Sequence, residues 1–117
     1  MGYTRTNLEG FVLGTMLNDN GEFYDSCRVS LRRELFADRR NRFIFGIIED
    51  MRLEGLKDTY PADVARYAAE KEIRVGDFTK FCLYMCELAE TYMFQTFRRH
   101  VKGLVAFYMQ DVRYGAR

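Results

Sequence analysis

The sequence predicts an all-α fold, a single compact bundle of about six helices with a C-terminal pairing helix. Apolar residues recur at helical spacing in several segments, whereas no run shows the sustained alternation of a strand. The chain has one proline, and capping residues separate its apolar segments. Its 117 residues, 48% apolar and 30% charged, suit one globular domain.

The first predicted helix follows Thr6, which has the capping-box spacing with Glu9. In such a box each side chain satisfies a backbone amide at the start of the helix. Gly10 and Gly14 lie four residues apart within this helix. They form a smooth patch that favours close contact with another helix.

The helix that follows Asp38 is predicted to be central to the fold. Asp38 can cap its first turn, and Gly55 stands just past its last apolar residue, where a left-handed stop favours glycine. Gly46 inside this helix predicts the close approach of another helix. The apolar stripe has i, i+3, i+4 and i+7 spacing and consists of Ile44, Ile47, Ile48 and Met51.

Three shorter helices complete the predicted globular part, residues 6–90. One lies near residues 22–29 and buries Phe23 and Cys27. A second begins at Pro61, where the missing amide costs nothing, and a third is capped by Asp77. The third helix is expected to direct five side chains inward: Phe78, Phe81, Cys82, Met85 and Ala89.

The segment 91–114 is predicted to form the C-terminal helix, with Thr91 as its cap. Its apolar residues follow the 4-3-4 spacing of a narrow helix-pairing seam: Phe97, Val101, Leu104 and Tyr108. This spacing predicts a homodimer through α-helical pairing. Packing of the same stripe against the chain's own core remains the alternative.

No pattern for catalysis, a cofactor or a metal occurs in the sequence, so we predict a protein that is not an enzyme. There is no phosphate-binding loop and no nucleophile with a neighbouring base. His100 lies among cationic residues and is interpreted as a solvated histidine of a helix face. The three cysteines are interpreted as reduced thiols packed in or beside the core.

The charged residues are segregated along the chain although the net charge is only +1. Residues 28–45 sum to +4, and residues 46–97 sum to −4. The basic block is a candidate patch for an anionic partner. It could also offset the acidic block or contact phosphates, but no nucleic-acid-binding motif accompanies it. The patch consists of Arg32, Arg33, Arg39, Arg40 and Arg42.

The odd number of cysteines and the absence of a signal-like start predict a cytoplasmic protein. No uncharged run approaches the roughly 18 apolar residues of a membrane span. We therefore expect no contact with a membrane.

Several short motifs resemble the N-terminal domain of DnaB-type replicative helicases. The family pattern E-x-x-V-L-G appears as Glu9-x-x-Val12-Leu13-Gly14, and later motifs appear as Leu35-Phe36, Ile44-Phe45 and Gly55. The resemblance runs from residue 8 to the end of the chain and is strongest over residues 8–55. There are three departures: Asn41 stands where the family has histidine, Glu34-Leu35 replaces its Asp before the aromatic residue, and Asn7 replaces a glutamate.

The resemblance implies an oligomeric collar domain that docks primase through a helical hairpin and performs no hydrolysis. The segment 91–114 would be the first arm of that hairpin, and the ATPase motor would be absent. We therefore expect a protein-interaction module of DNA replication, either a fragment of a helicase or a stand-alone relative. The alternatives are a nucleic-acid-binding regulator that uses the Arg28–Arg42 block and a purely structural homo-oligomer.

Overall fold

The computed structural model describes residues 2–115, which form six α-helices and contain no strand. The predicted all-α class is therefore confirmed. A 3-10 turn at Arg33–Leu35 precedes the third helix, and a π-helical turn at Asp111–Gly115 continues the sixth. The helices are α1 (Arg5–Met16), α2 (Glu22–Cys27), α3 (Arg39–Leu53), α4 (Pro61–Glu70), α5 (Phe78–Ala89) and α6 (Phe97–Gln110).

The central helix α3 begins and ends where the sequence predicts. The carboxylate of Asp38 accepts hydrogen bonds from the amides of Arg40 at 2.8 Å and Asn41 at 3.2 Å. Gly55 has a φ of +86°, the left-handed conformation expected of a residue just past a helix end. The predicted stripe is buried and includes Phe45 as well: Ile44, Phe45, Ile47, Ile48 and Met51.

Helix α1 shares the central position with α3, because it contacts α2, α3, α5 and α6. Gly14 permits the closest of these approaches. A Cβ atom at Gly14 would lie 2.2 Å from the carbonyl oxygen of Leu88 in α5, whereas one at Gly10 would have its nearest neighbour at 3.7 Å. The close contact predicted for the glycine patch is therefore present, and it is tightest at Gly14.

Helix α1 starts earlier than predicted, so the capping box at Thr6 and Glu9 is wrong. Thr4 is the N-cap: its Oγ1 accepts from the amide of Asn7 at 3.1 Å, and its own amide donates to Asn7 Oδ1 at 3.3 Å. Asn7 performs the reciprocal role because its short amide can accept from the cap residue, as the glutamate of a capping box does. Glu9 therefore takes no part in the cap, and its carboxylate is available for a tertiary contact.

Thr91 does not cap the final helix, which begins at Phe97. Its hydroxyl oxygen lies 2.9 Å from the carbonyl oxygen of Gly10 and 2.7 Å from that of Leu88. The hydroxyl therefore joins the end of α5 to α1. The predicted interruption of the helix near residue 90 is present, because α5 ends at Ala89.

Five side chains predicted to face the core are more exposed than expected. Phe78, at the first position of α5, is 48% exposed, and Cys82 and Ala89 of the same helix are half-buried. Phe23 and Cys27 of α2 are half-buried, and Tyr24 is the residue of α2 that reaches the core. A six-residue helix presents too few turns to bury more than one side chain completely.

Gly46 accommodates a side chain and not another helix, which corrects the prediction for this residue. A Cβ atom there would lie 3.1 Å from the guanidinium carbon of Arg33. Arg33 follows the surface of α3 at this point and donates to the side chains of Glu49 at 2.8 Å and Asp50 at 3.1 Å. The missing Cβ therefore makes room for a surface ion pair.

Candidate interaction surfaces

A buried carboxylate joins α1 to the start of α3. Glu9 is 1% exposed. It accepts hydrogen bonds from the backbone amides of Ala37 at 2.7 Å and Asp38 at 3.3 Å, and from Asn41 Nδ2 at 2.8 Å. The guanidinium of Arg5 lies 3.6 Å away. These donors and this cation offset the cost of burying a carboxylate.

Asn41 extends this network to α5. Its Oδ1 accepts a hydrogen bond from the hydroxyl of Tyr84, and the guanidinium of Arg40 lies 4.1 Å from the centre of the same tyrosine ring. Burial raises the pKa of Tyr84, so its hydroxyl keeps the proton that it donates. Three helices distant in sequence are thus held together by one chain of polar contacts.

The sequence contained a signal for the buried position of Glu9 that the capping interpretation overlooked. Glu9 precedes Val12, Leu13 and Met16 by three, four and seven residues, and all three are fully buried. Helical spacing therefore places the carboxylate on the buried face of α1. A charged residue in such a position needs partners from elsewhere in the chain.

We expect Glu9→Ala to lower the free energy of unfolding by about 3 kcal/mol or more, since each of three orphaned donors costs about 1–3 kcal/mol. Urea denaturation followed by circular dichroism measures this loss. Glu34→Ala is the matched control, because Glu34 is exposed and its carboxylate has no bonding partner within residues 2–115. A loss of less than about 1 kcal/mol for Glu9→Ala would show that the network contributes little.

The predicted pairing seam of α6 lies mostly inside the chain's own core, which corrects the prediction of a free seam. Phe97, Val101 and Leu104 are 2%, 2% and 0% exposed, and only Tyr108 is partly exposed. Helix α6 packs along α1. The 4-3-4 spacing therefore marks a stripe buried within one chain, as the alternative interpretation held.

The five arginines of the predicted anionic-partner patch contact different parts of the surface. Arg33 is bound to acidic residues of α3, as described above. Arg40 stacks on Tyr84 of α5, and Arg42 donates to a backbone carbonyl at 3.0 Å. Arg32 and Arg39 are exposed and form no ion pair within residues 2–115. Only these two of the five arginines are therefore free of partners in the described chain.

His100 is buried, so its interpretation as a solvated residue is wrong. It is 4% exposed, and its ring centre lies 4.9 Å from that of Phe11 and 5.7 Å from that of Tyr3. Burial lowers the pKa of His100, and the neighbouring charge of Arg99 lowers it further. The imidazole therefore packs as a neutral aromatic ring between α6 and α1.

The cysteines form no disulfide within the described chain. Cys27 and Cys82 are half-buried, whereas Cys86 is exposed. Burial raises the pKa of the Cys82 thiol, and Cys86 on the next turn adds to this effect. Across residues 2–115, no three histidine, cysteine or acidic side chains are placed to hold a metal ion.

The all-α fold agrees with the family that the sequence motifs resemble. A family model described as the DnaB-like helicase N terminal domain matches residues 3–93, which is most of the chain. The chain belongs to this family. It matches no curated protein sequence and no solved structure. In the described part of this DnaB-like domain, no helix has the length and apolar character needed to cross a membrane.

The geometry explains how this DnaB-like domain uses the family motif and departs from it. Glu9 is the buried carboxylate, and Gly14 is the point of closest approach to α5. Asn41 stands where the family pattern has histidine. Its amide donates to Glu9 on one side and accepts from Tyr84 on the other. Asn41 therefore joins these two residues with a group that does not titrate.

Proposed function

We propose that this chain is a non-catalytic protein-interaction and oligomerisation module of DNA replication that acts as the helicase collar domain does. The family match over residues 3–93 is the observation that carries the proposal. In such a collar the domain docks primase and assembles with its own copies. The expected partners are therefore primase, the replicative helicase and a second copy of the chain.

The absence of a nucleotide-binding motif supports the non-catalytic part of the proposal. ATP hydrolysis needs a phosphate cradle and a magnesium site. The sequence contains no G-x-x-x-x-G-K-[ST] loop that could form the cradle. We therefore expect no hydrolysis of ATP by this chain.

The surface of α6 supports self-association at a place different from the predicted seam. Because the stripe from Phe97 to Leu104 is buried, pairing between copies would need the distal half of α6 and the π-helical turn that continues it. Met109 in the first and Val112 in the second are 56% and 53% exposed. Apolar side chains of this size left on a helix surface are typical of contacts with a partner.

A nucleic-acid-binding regulator is the second candidate, and the exposed Arg32 and Arg39 favour it. A phosphate-binding surface needs several free cations on one face. Half of the six arginines in the Arg28–Arg42 block have contacts within the chain, so this candidate has weaker support than the interaction module. A purely structural homo-oligomer would lack both kinds of partner.

Affinity retention separates these functions. We expect the tagged chain to retain purified primase or replicative helicase but no duplex DNA, and to sediment as a dimer. Salt-sensitive DNA binding that Arg39→Ala weakens, without retention of either protein, would instead establish the regulator. A chain that remains monomeric at high concentration would contradict the oligomeric part of the proposal.

A further inference from the structure

The outer side of α6 carries a continuous groove that the described chain leaves open. Three shallow depressions follow one another along the helix and share residues at their borders. The first and second share Ser26 and Arg98, and the second and third share Val29 and Ser30. We call this surface the α6 groove; it lies between α6 and the segment from Glu22 to Leu35. Helix α6 has 14 residues, so the groove is about 20 Å long at 1.5 Å per residue.

The centre of the α6 groove is basic. Arg28, Arg98 and Lys102 line it, are exposed, and form no ion pair within residues 2–115. The one carboxylate at the centre, Asp25, is already paired with Arg52 at 2.8 Å. Positive charge without compensation on a concave surface attracts anionic groups.

Both ends of the α6 groove expose apolar side chains, beside one glutamate at the first end and one arginine at the other. At one end the rings of Phe23 and Phe94 stack with their centres 5.0 Å apart, and Phe94 is 39% exposed. At the other end Val29 is 90% exposed and Met109 is 56% exposed, beside the half-buried Val105. Exposed apolar side chains grouped beside uncompensated positive charge mark a surface that can bind another chain.

We propose that the α6 groove binds an acidic amphipathic helix of a partner protein. Its carboxylates would meet the three cations at the centre, and its apolar side chains would cover the two ends. The length of the groove suits a partner helix of about four turns. The proposal rests on the proposed function of the chain as an interaction module, and it names where a partner docks.

The aliphatic end of the groove favours a protein partner over a single-stranded nucleic acid. Single strands bind by stacking successive bases on aromatic rings along a basic channel. Val29, Val105 and Met109 offer no aromatic face for such stacking, and the one ring that lines this end, Tyr108, is half-buried. They would be buried by leucine-like side chains instead.

A fluorescent synthetic helix tests the proposal directly. The probe carries leucines at both ends of one face and glutamates between them, and it spans about four turns. The first control probe has lysines in place of the glutamates, and the second is an oligo-thymidine of similar length. We expect fluorescence anisotropy to show at least about tenfold tighter binding of the acidic probe than of either control, and weaker binding at high salt.

Variants of exposed residues locate the binding. We expect Arg98→Glu combined with Lys102→Glu to weaken binding of the acidic probe by about tenfold or more, and Val29→Asp to weaken it as well. The matched control is Arg74→Glu, which replaces an exposed arginine of the α4–α5 connection that does not line the groove. Circular dichroism checks that each variant keeps its helical content.

Three results would overturn the proposal: equal binding by the double variant, preference for oligo-thymidine, or no binding of the acidic probe. Retention of primase or helicase by the double variant would reject the groove as their docking site while leaving the proposed function intact. If the unaltered chain binds the acidic probe but retains neither primase nor helicase, the groove is supported as a binding site and the proposed function is contradicted.

Discussion

Gly14→Ala is expected to lower the free energy of unfolding by about 3 kcal/mol or more, the upper range for overpacking a tight contact. The added methyl carbon would lie 2.2 Å from the carbonyl oxygen of Leu88 and 2.8 Å from Thr91 Oγ1. The first of these atoms belongs to the backbone, so no side-chain rotation can relieve the overlap. Helices α1 and α5 would have to separate, and the packing between them would loosen.

Gly10→Ala is the matched control for this effect. It lies one turn earlier in the same helix, and its new methyl carbon would have Thr91 Oγ1 as its nearest neighbour at an ordinary 3.7 Å. Replacement of a helical glycine by alanine adds up to about 1 kcal/mol of stability where space allows. The urea concentration at the midpoint of unfolding should therefore fall for Gly14→Ala and rise for Gly10→Ala. Equal midpoints would refute the close approach at Gly14.

Leu104→Glu is expected to unfold the domain. Leu104 is 0% exposed. Loss of a buried leucine side chain costs about 2–5 kcal/mol by itself, and a carboxylate without a partner in the same place adds a larger penalty. The sum is comparable to the stability of a whole domain, about 5–15 kcal/mol. Loss of the helical circular dichroism signal and of cooperative melting would be the result.

Ala106→Glu on the same helix is the control for Leu104→Glu. Ala106 is exposed and does not line the α6 groove, so this change should leave the free energy of unfolding within about 0.5 kcal/mol of the original value. If Leu104→Glu instead stays folded and converts a dimer to a monomer in sedimentation, then α6 pairs through this stripe between chains. That outcome would restore the predicted seam.

The sequence by itself determined the fold class and the residues at which α3, α4 and α5 begin. The caps at Asp38 and Asp77 and the proline start of α4 were predicted, because each depends on groups within three or four residues along the chain. The family was also recognisable, since its short motifs keep their order and spacing. Such features are local, and a single sequence displays them directly.

The candidate site was predicted less well, because it depends on which residues meet across the fold. The arginine block appeared as one patch because its members are close in sequence. In the structure Arg33 faces α3 while Arg40 faces α5. The groove along α6 combines residues from 22–35 with residues from 94–109, and no sequence pattern indicates that juxtaposition.

Only the tertiary structure decided what covers the apolar stripe of α6 and what pairs with Glu9. Helical spacing tells which residues share a face, but the same stripe suits a partner chain or the chain's own core. The contact of α6 with α1 joins segments at opposite ends of the sequence. The donors to Glu9 lie 28 to 32 residues away from it. Burial and the pairing of buried polar groups depend on all the elements packed around them, so they are decided only when the helices come together.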